Sequence, residues 1–196
     1  MSFWTDGPGL EPDPEVAAKF QEAEIVPHSI PVAPKRKLRV RWTRKDVEFG
    51  NKFDVPDLKF APKIRFFDID LDGTFTLAMF DLDNLSRKKP IVSPWLQWLV
   101  TNIPASNFVD EILGGKILMP YGSPCPGVRT GFHRYIVLLW QHPEYKIDHP
   151  KPEQRGNFDI KQFQEMHNFG HPVAGNFFVA EHKDNYLYRS NTVDVP

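Results

Sequence analysis

Between residues 37 and 42 the chain alternates without a break, Lys37, Arg39 and Arg41 interleaving with Leu38, Val40 and Trp42. A period of two is that of a strand, so this segment is expected to wet one face and bury the other. Trp95 to Ile103 and His133 to Gln141 are instead nearly continuous apolar runs, the pattern of central strands covered on both sides. Ala174 to Ala180 reads as a final strand, and Ile64 to Phe67 and Thr74 to Phe80 flank an Asp72-Gly73 turn. Gly50-Asn51, between the short apolar segments of Val47 to Val55, carries a hairpin signal. Helical spacing is rarer. Val16, Ala17, Phe20 and Ala23 share one face of a short helix with Asp13 as N-cap and Pro14 at its first position, ending before Pro27. Two or three turns are marginal alone, so that helix is expected to pack on the main body. Lys161 to Phe169 shows mixed helical spacing through Phe163 and Met166. The division that follows is an extended arm over 1–11, one domain over 12–190 and a tail over 191–196, with no internal repeat and no linker.

Composition narrows the class. At 196 residues the chain is most economically one domain. With 41% hydrophobic and 25% charged residues it is ordinary for a folded protein, which argues against disorder. Nineteen prolines and 13% aromatic residues favour strands and ordered loops over a helical bundle. A formal net charge of −1 gives the whole molecule no preference for nucleic acid or membrane. One cysteine, Cys125, excludes an internal disulfide and fits a reducing compartment. The first residues lack a basic stretch followed by an apolar one, and no run reaches the ~20 apolar residues of a membrane span. A cytoplasmic location is the expectation, a mitochondrial one the alternative.

Three blocks point further. Phe75 to Arg87 runs an apolar strand into Asp81-Leu82-Asp83-Asn84-Leu85-Ser86-Arg87. Trp95-Leu96-Gln97-Trp98-Leu99-Val100-Thr101-Asn102-Ile103-Pro104 is the second, and Tyr121-Gly122-Ser123-Pro124-Cys125-Pro126-Gly127-Val128-Arg129-Thr130-Gly131-Phe132-His133-Arg134-Tyr135 the third. In order and with this spacing they resemble the phosphatidylethanolamine-binding protein family, which includes the Raf-kinase inhibitor proteins and plant flowering regulators. Arg155-Gly156-Asn157-Phe158 and Pro172 to Phe178 match its C-terminal section, so the resemblance covers about residues 20–185. It implies a mainly β fold, a large antiparallel sheet packed on a smaller sheet with short peripheral helices. It also implies a small pocket for phosphate, acetate or a phosphoethanolamine headgroup, lined by an Asp, two His and the backbone of the Gly/Pro loop. On this chain those positions are Asp81, Gln97 and His133, with Trp95, Ser123, Cys125 and Gly127 around them and Tyr186 or Tyr188 closing from the C-terminal side.

The departures bear on chemistry. Leu82 and Leu85 stand where the family has prolines, Gln97 where it has a pocket histidine, Val92 where an aromatic is usual, and Cys125 and Gly127 at positions that are often Gly and Pro. Replacing an imidazole by an amide keeps a donor but removes a group able to become cationic, which is expected to weaken or alter anion affinity. Plainer roles stand beside these. Asp81 and Asp83 also suit caps at a strand-to-turn junction, His133 a satisfied core histidine, and Trp98 core packing, with Trp95 as a pocket wall.

No enzyme is indicated. Asp81, Ser123 and His133 offer triad residue types without a Gly-x-Ser-x-Gly elbow, and Cys125 with a histidine eight positions on is no protease signature. His142 and His149 lack the companion ligands of a metal site, and no cofactor is called for. Lys35 to Lys45 holds seven basic residues in eleven, which suit a solvated edge or a contact for acidic lipid, protein or RNA. The expected function is a non-enzymatic ligand-binding and regulatory module, with a small anion or phospholipid headgroup as ligand and a kinase or protease as partner. A structural subunit of the mitochondrial large ribosomal subunit, in contact with RNA, is the alternative.

Overall fold

The computed structural model describes residues 11–67, 73–108, 114–142 and 146–183. The N-terminal arm and C-terminal tail expected from the sequence, apart from Glu11, lie outside that range, as do Tyr186 and Tyr188.

The apolar runs do become the centre of the molecule. Strands β6 (Thr74–Asp81), β7 (Trp95–Pro104), β9 (His133–His142) and β10 (Ala174–Glu181) lie side by side with β8 (Lys116–Met119) in one sheet, in the order β10-β9-β6-β7-β8 and antiparallel throughout. Two short strands, β1 (Arg36–Lys37) and β4 (Lys52–Asp54), run parallel to β10 along its outer edge, so the seven-stranded sheet is antiparallel in its long strands and mixed at one side. The second sheet has three strands, β3 (Lys45–Asp46), β2 (Arg39–Trp42) and β5 (Lys63–Arg65).

Alternation divides the core in two. Phe75, Leu77 and Met79 of β6 and Tyr135, Val137 and Leu139 of β9 face the small sheet, where they meet Val40, Trp42 and Ile64. Ala78 and Phe80, with Ile136, Leu138 and Trp140, face the helices α1 (Pro14–Glu22) and α2 (Ile160–Met166). A strand apolar on both faces has no polar phase to show, which is why these runs look continuous in the sequence. Helix α1 begins where the sequence places it, with the Asp13 carboxylate accepting from the Glu15 amide at 2.9 Å. It packs on the body through Val16 and Phe20, the latter edge-on to Phe177 at 5.1 Å between ring centroids.

Two local expectations change. The alternating segment 37–42 is not one strand, because the chain passes from the large sheet to the small one at Leu38, whose amide donates to Gly175 O at 2.9 Å. Gly50-Asn51 is not the tip of a hairpin either. Strand β3 pairs with β2 and β4 pairs with β10, so residues 48–51 carry the chain back between the sheets. Asn51 shapes that turn, accepting from the Glu48 amide and donating to Asp46 O, both at 2.9 Å. Gly50 is needed there, since its φ is +98° and a Cβ would stand 2.9 Å from the Phe177 ring.

Candidate functional site

Antiparallel register places the quoted motif residues at one end of the large sheet. Asp81, the last residue of β6, lies opposite Trp95 at the start of β7 and opposite Tyr135 near the start of β9. Directly opposed residues project from the same face, and His133, two positions before Tyr135, shares it. The result is a buried contact between residues 52 apart in sequence, His133 Nδ1 to Asp81 Oδ2 at 2.9 Å. Both side chains are almost wholly enclosed, His133 at 2% and Asp81 at 3% exposure. Asp81 Oδ1 accepts the Asp83 amide at 2.8 Å.

The other imidazole nitrogen is also engaged, because Thr130 Oγ1 stands 2.9 Å from His133 Nε2. Thr130 has one hydroxyl hydrogen, and its Oγ1 lies 2.8 Å from Gly127 O, to which it donates. Both ring nitrogens are therefore occupied within the protein, Nδ1 by Asp81 and Nε2 by Thr130. This arrangement leaves neither ring nitrogen of His133 free for a ligand. His133 therefore positions the Asp81 carboxylate and the Gly127–Thr130 turn.

Gln97 reaches the same face by a bulge. Phe80 pairs with Leu96 and Met79 with Trp98, leaving Gln97 as the inserted residue beside Trp98. Its carbonyl is held by the Gly122 amide at 2.7 Å and by Arg155 Nη1 at 2.9 Å. Among the described residues its side-chain amide has no hydrogen-bond partner, although the residue is only 5% exposed. No hydrogen bond joins it to Asp81 or His133. Gly122 leaves it room, because a Cβ there would stand 2.9 Å from Gln97 Oε1. Tyr135 supplies a second unpartnered polar group: its hydroxyl is buried without a hydrogen bond. Burial, then the charge of Asp81 and the approach of the hydroxyl to that carboxylate, pushes the phenol far above its ordinary range, so it stays neutral. A buried polar atom without a partner is uncommon in native proteins and suits a position where a bound molecule completes the bonding.

The remaining candidates separate. Trp95 is half-buried beside Gly156, where a Cβ would come within 3.3 Å of its ring, and serves as a wall. Trp98 is core, 7% exposed and edge-on to Tyr121 at 5.7 Å. Ser123 Oγ donates to Leu58 O at 3.0 Å, beside Tyr121 Oη at 2.7 Å, so both tie the loop to the small-sheet side. Cys125 is exposed, and Gly127 contributes its carbonyl to Thr130. Asp83 is more than a cap: its carboxylate takes the guanidinium of Arg134. His142 closes β9, buried between Thr74 and Thr76, while His149 Nδ1 lies 2.7 Å from His167 Nε2. Among the described residues no cluster of three or more His, Cys, Asp or Glu could hold a metal. Sequence reasoning did not single out Thr130, Arg134 or Tyr135 for roles, although all three stand in the third motif block.

Comparison with known proteins agrees with this architecture. The family model for phosphatidylethanolamine-binding protein matches residues 29–178. TERMINAL FLOWER 1 of Arabidopsis thaliana is 29% identical over 148 residues, 76% of this chain and 81% of its own. Among solved structures, the phosphatidylethanolamine-binding protein of Plasmodium vivax superposes with a TM-score of 0.74 at 22% identity, over 89% of this chain and all (100%) of that one. The carboxypeptidase Y inhibitor, solved in complex with its cognate proteinase, gives 0.71 at 21% identity, over 86% of this chain and 96% of that one. A β-sandwich flanked by helices, the three ordered motif blocks at one end of its larger sheet, and a family match across most of the chain lead to one assignment: the chain belongs to the phosphatidylethanolamine-binding protein family.

Proposed function

We propose that this protein is a non-enzymatic binding module that takes a small phosphorylated anion, free or as a phospholipid headgroup, at the end of the sheet where Asp81, Gln97 and Tyr135 converge. The reading rests on the enclosed Tyr135 hydroxyl and on the Gln97 side-chain amide, which makes no hydrogen bond among the described residues, on the face that also carries Asp81. Each can donate a hydrogen bond, which is what phosphate oxygens require. Asp81 supplies the opposite charge, suited to the ammonium of an ethanolamine group. With His133 committed to Asp81 and Thr130, the donors left for an anion are neutral, and neutral hydrogen bonds are roughly half as strong as charge-assisted ones.

The Ser123 and Thr130 hydroxyls at this end of the sheet are tied to the backbone: Ser123 donates to Leu58 O, and Thr130, beside His133 Nε2, donates to Gly127 O, which supports the reading of a binding module. Regulation of a kinase or protease through this site is the accompanying reading for the partner. It draws support from the fold shared with the carboxypeptidase Y inhibitor. The basic strand that suggests an RNA-embedded subunit uses much of its charge internally, Arg39 on Asp46 at 3.3 Å and Lys37 on Glu48.

Isothermal titration with phosphoethanolamine tests the binding. The wild type is expected to bind, and Gln97→His to bind about tenfold or more tightly, as restoring a charge-assisted bond of at least ~1.4 kcal/mol requires. Equal affinity in the two proteins, or no heat in either, refutes the reading.

A further inference from the structure

Ten residues, 84–93, leave the large sheet after β6 and return before β7, at the end that carries Asp81 and Trp95. Their base is pinned. The Val92 amide donates to Asn84 O at 3.3 Å, the Asn84 amide to Ser93 Oγ at 3.0 Å, and Ser93 Oγ to Asp81 O at 3.4 Å. The side chains beyond the base point to solvent, and two of them are aliphatic: Leu85 is 53% exposed and Ile91 67%. Between them stand Arg87, Lys88 and Lys89, all exposed. Arg87 pairs with Glu24, whereas no hydrogen bond or ion pair holds the side chain of Lys88 or Lys89 among the described residues. The second loop at this end, 120–132, adds Val128, 48% exposed, and exposed Arg129. Neither stretch, 84–94 or 120–132, contains an acidic residue.

Charge alone would fit any polyanion. The aliphatic pair narrows the partner, because solvent-facing Leu and Ile beside unpaired lysines give an element with an apolar tip and a cationic collar. Such an element is at home in the boundary between headgroups and acyl chains of an anionic bilayer. No helix among the described residues is long and apolar enough to cross a membrane, so the contact is with the surface. We propose that the 84–93 loop, helped by Val128 and Arg129, docks the protein on an anionic lipid surface. In that pose Leu85 and Ile91 enter the interface and Lys88 and Lys89 lie among the phosphates. The pose points the Asp81–Gln97 end of the sheet at the lipid, and in that respect the inference rests on the headgroup reading of the site.

Vesicle flotation of the full chain separates the two ideas. Vesicles of phosphatidylcholine alone are compared with vesicles of phosphatidylcholine mixed with phosphatidylserine, using the wild type, Lys88→Gln/Lys89→Gln and Leu85→Ser/Ile91→Ser. The wild type is expected to float with the anionic vesicles. The lysine pair is worth about fivefold each at such a surface, so its variant partitions about 25-fold less. The serine variant also detaches. Both variants keep wild-type affinity for soluble phosphoethanolamine, which confirms that they are folded. A wild type that ignores anionic vesicles while binding soluble phosphoethanolamine overturns the docking and leaves the pocket standing. Vesicle binding unchanged in the serine variant also overturns it, because Leu85 and Ile91 then take no part in the contact. Vesicle binding that depends on both pairs, without affinity for soluble phosphoethanolamine, upholds the docking and removes the pocket ligand.

Discussion

Arg134 and Asp83 face each other through two parallel hydrogen bonds, Nη2 to Oδ1 at 2.7 Å and Nε to Oδ2 at 2.9 Å. Oδ2 also accepts the Arg134 amide at 2.8 Å, and Nη1 donates to the carbonyls of Ala23 at 2.8 Å and Glu24 at 2.9 Å. One guanidinium thus ties together the exit of β6, the entry of β9 and the end of α1. The Asp83 side chain is 1% exposed, so its charge depends on this partner. Arg134→Ala would leave a buried carboxylate uncompensated and is expected to destabilise the fold by about 3–5 kcal/mol. Arg134→Lys, which keeps the charge but loses the planar fork, should fall between the two. Urea unfolding checks this; an alanine variant within about 1 kcal/mol of wild type, the value of an exposed pair, would contradict it.

Asn176 joins the two sheets at a single amide. Its Nδ2 donates to Leu38 O and Val47 O, both at 2.9 Å, and its Oδ1 accepts the Phe49 amide at 3.2 Å and the Phe177 amide at 2.9 Å. The residue is fully buried. Asn176→Asp cannot donate to two carbonyls and introduces a buried charge, so it is expected to cost more than Asn176→Ala, itself about 2–4 kcal/mol. Thermal unfolding of both variants ranks them; the reverse order would contradict the account.

How far the sequence reveals this molecule depends on the range of each interaction. The Asp13-Pro14 helix start and the apolar runs of β7 and β9 are local signals, and the structure carries all of them. The crossing at Leu38 is set by Gly175 and the turn at Gly50 by Phe177, partners more than a hundred residues away, so alternation and turn chemistry alone cannot foretell them. The site divides in the same way. Asp81 and His133 are legible from the motifs. The engagement of both His133 nitrogens depends on Thr130 and on strand register, and Gln97 reaches its face only through a bulge. Tyr135 sits inside an apolar run, which hides its hydroxyl.

His149 and His167 share a hydrogen bond of 2.7 Å and both pack on Phe163 at 5.0 Å between centroids. Burial lowers the pKa of each from the ordinary 6.5, with His167 and Lys116 lowering His149 further. The unfolded chain therefore takes up protons first as pH falls. The stabilisation is present above about pH 6.5 and is lost as pH drops toward the folded-state values. The urea midpoint is expected to fall between about pH 7.5 and about pH 5.5, and less steeply in His149→Gln/His167→Gln. Parallel pH profiles for the two proteins would contradict this.

The account turns on which side chains hold the anion. Following the Gln97 side-chain amide by nitrogen–proton NMR during a phosphoethanolamine titration tests that most directly. Its signals are predicted to shift and to saturate together with the calorimetric isotherm, while the His133 ring keeps its contacts with Asp81 and Thr130. A ligand that saturates the protein while the Gln97 amide stays unmoved would contradict it.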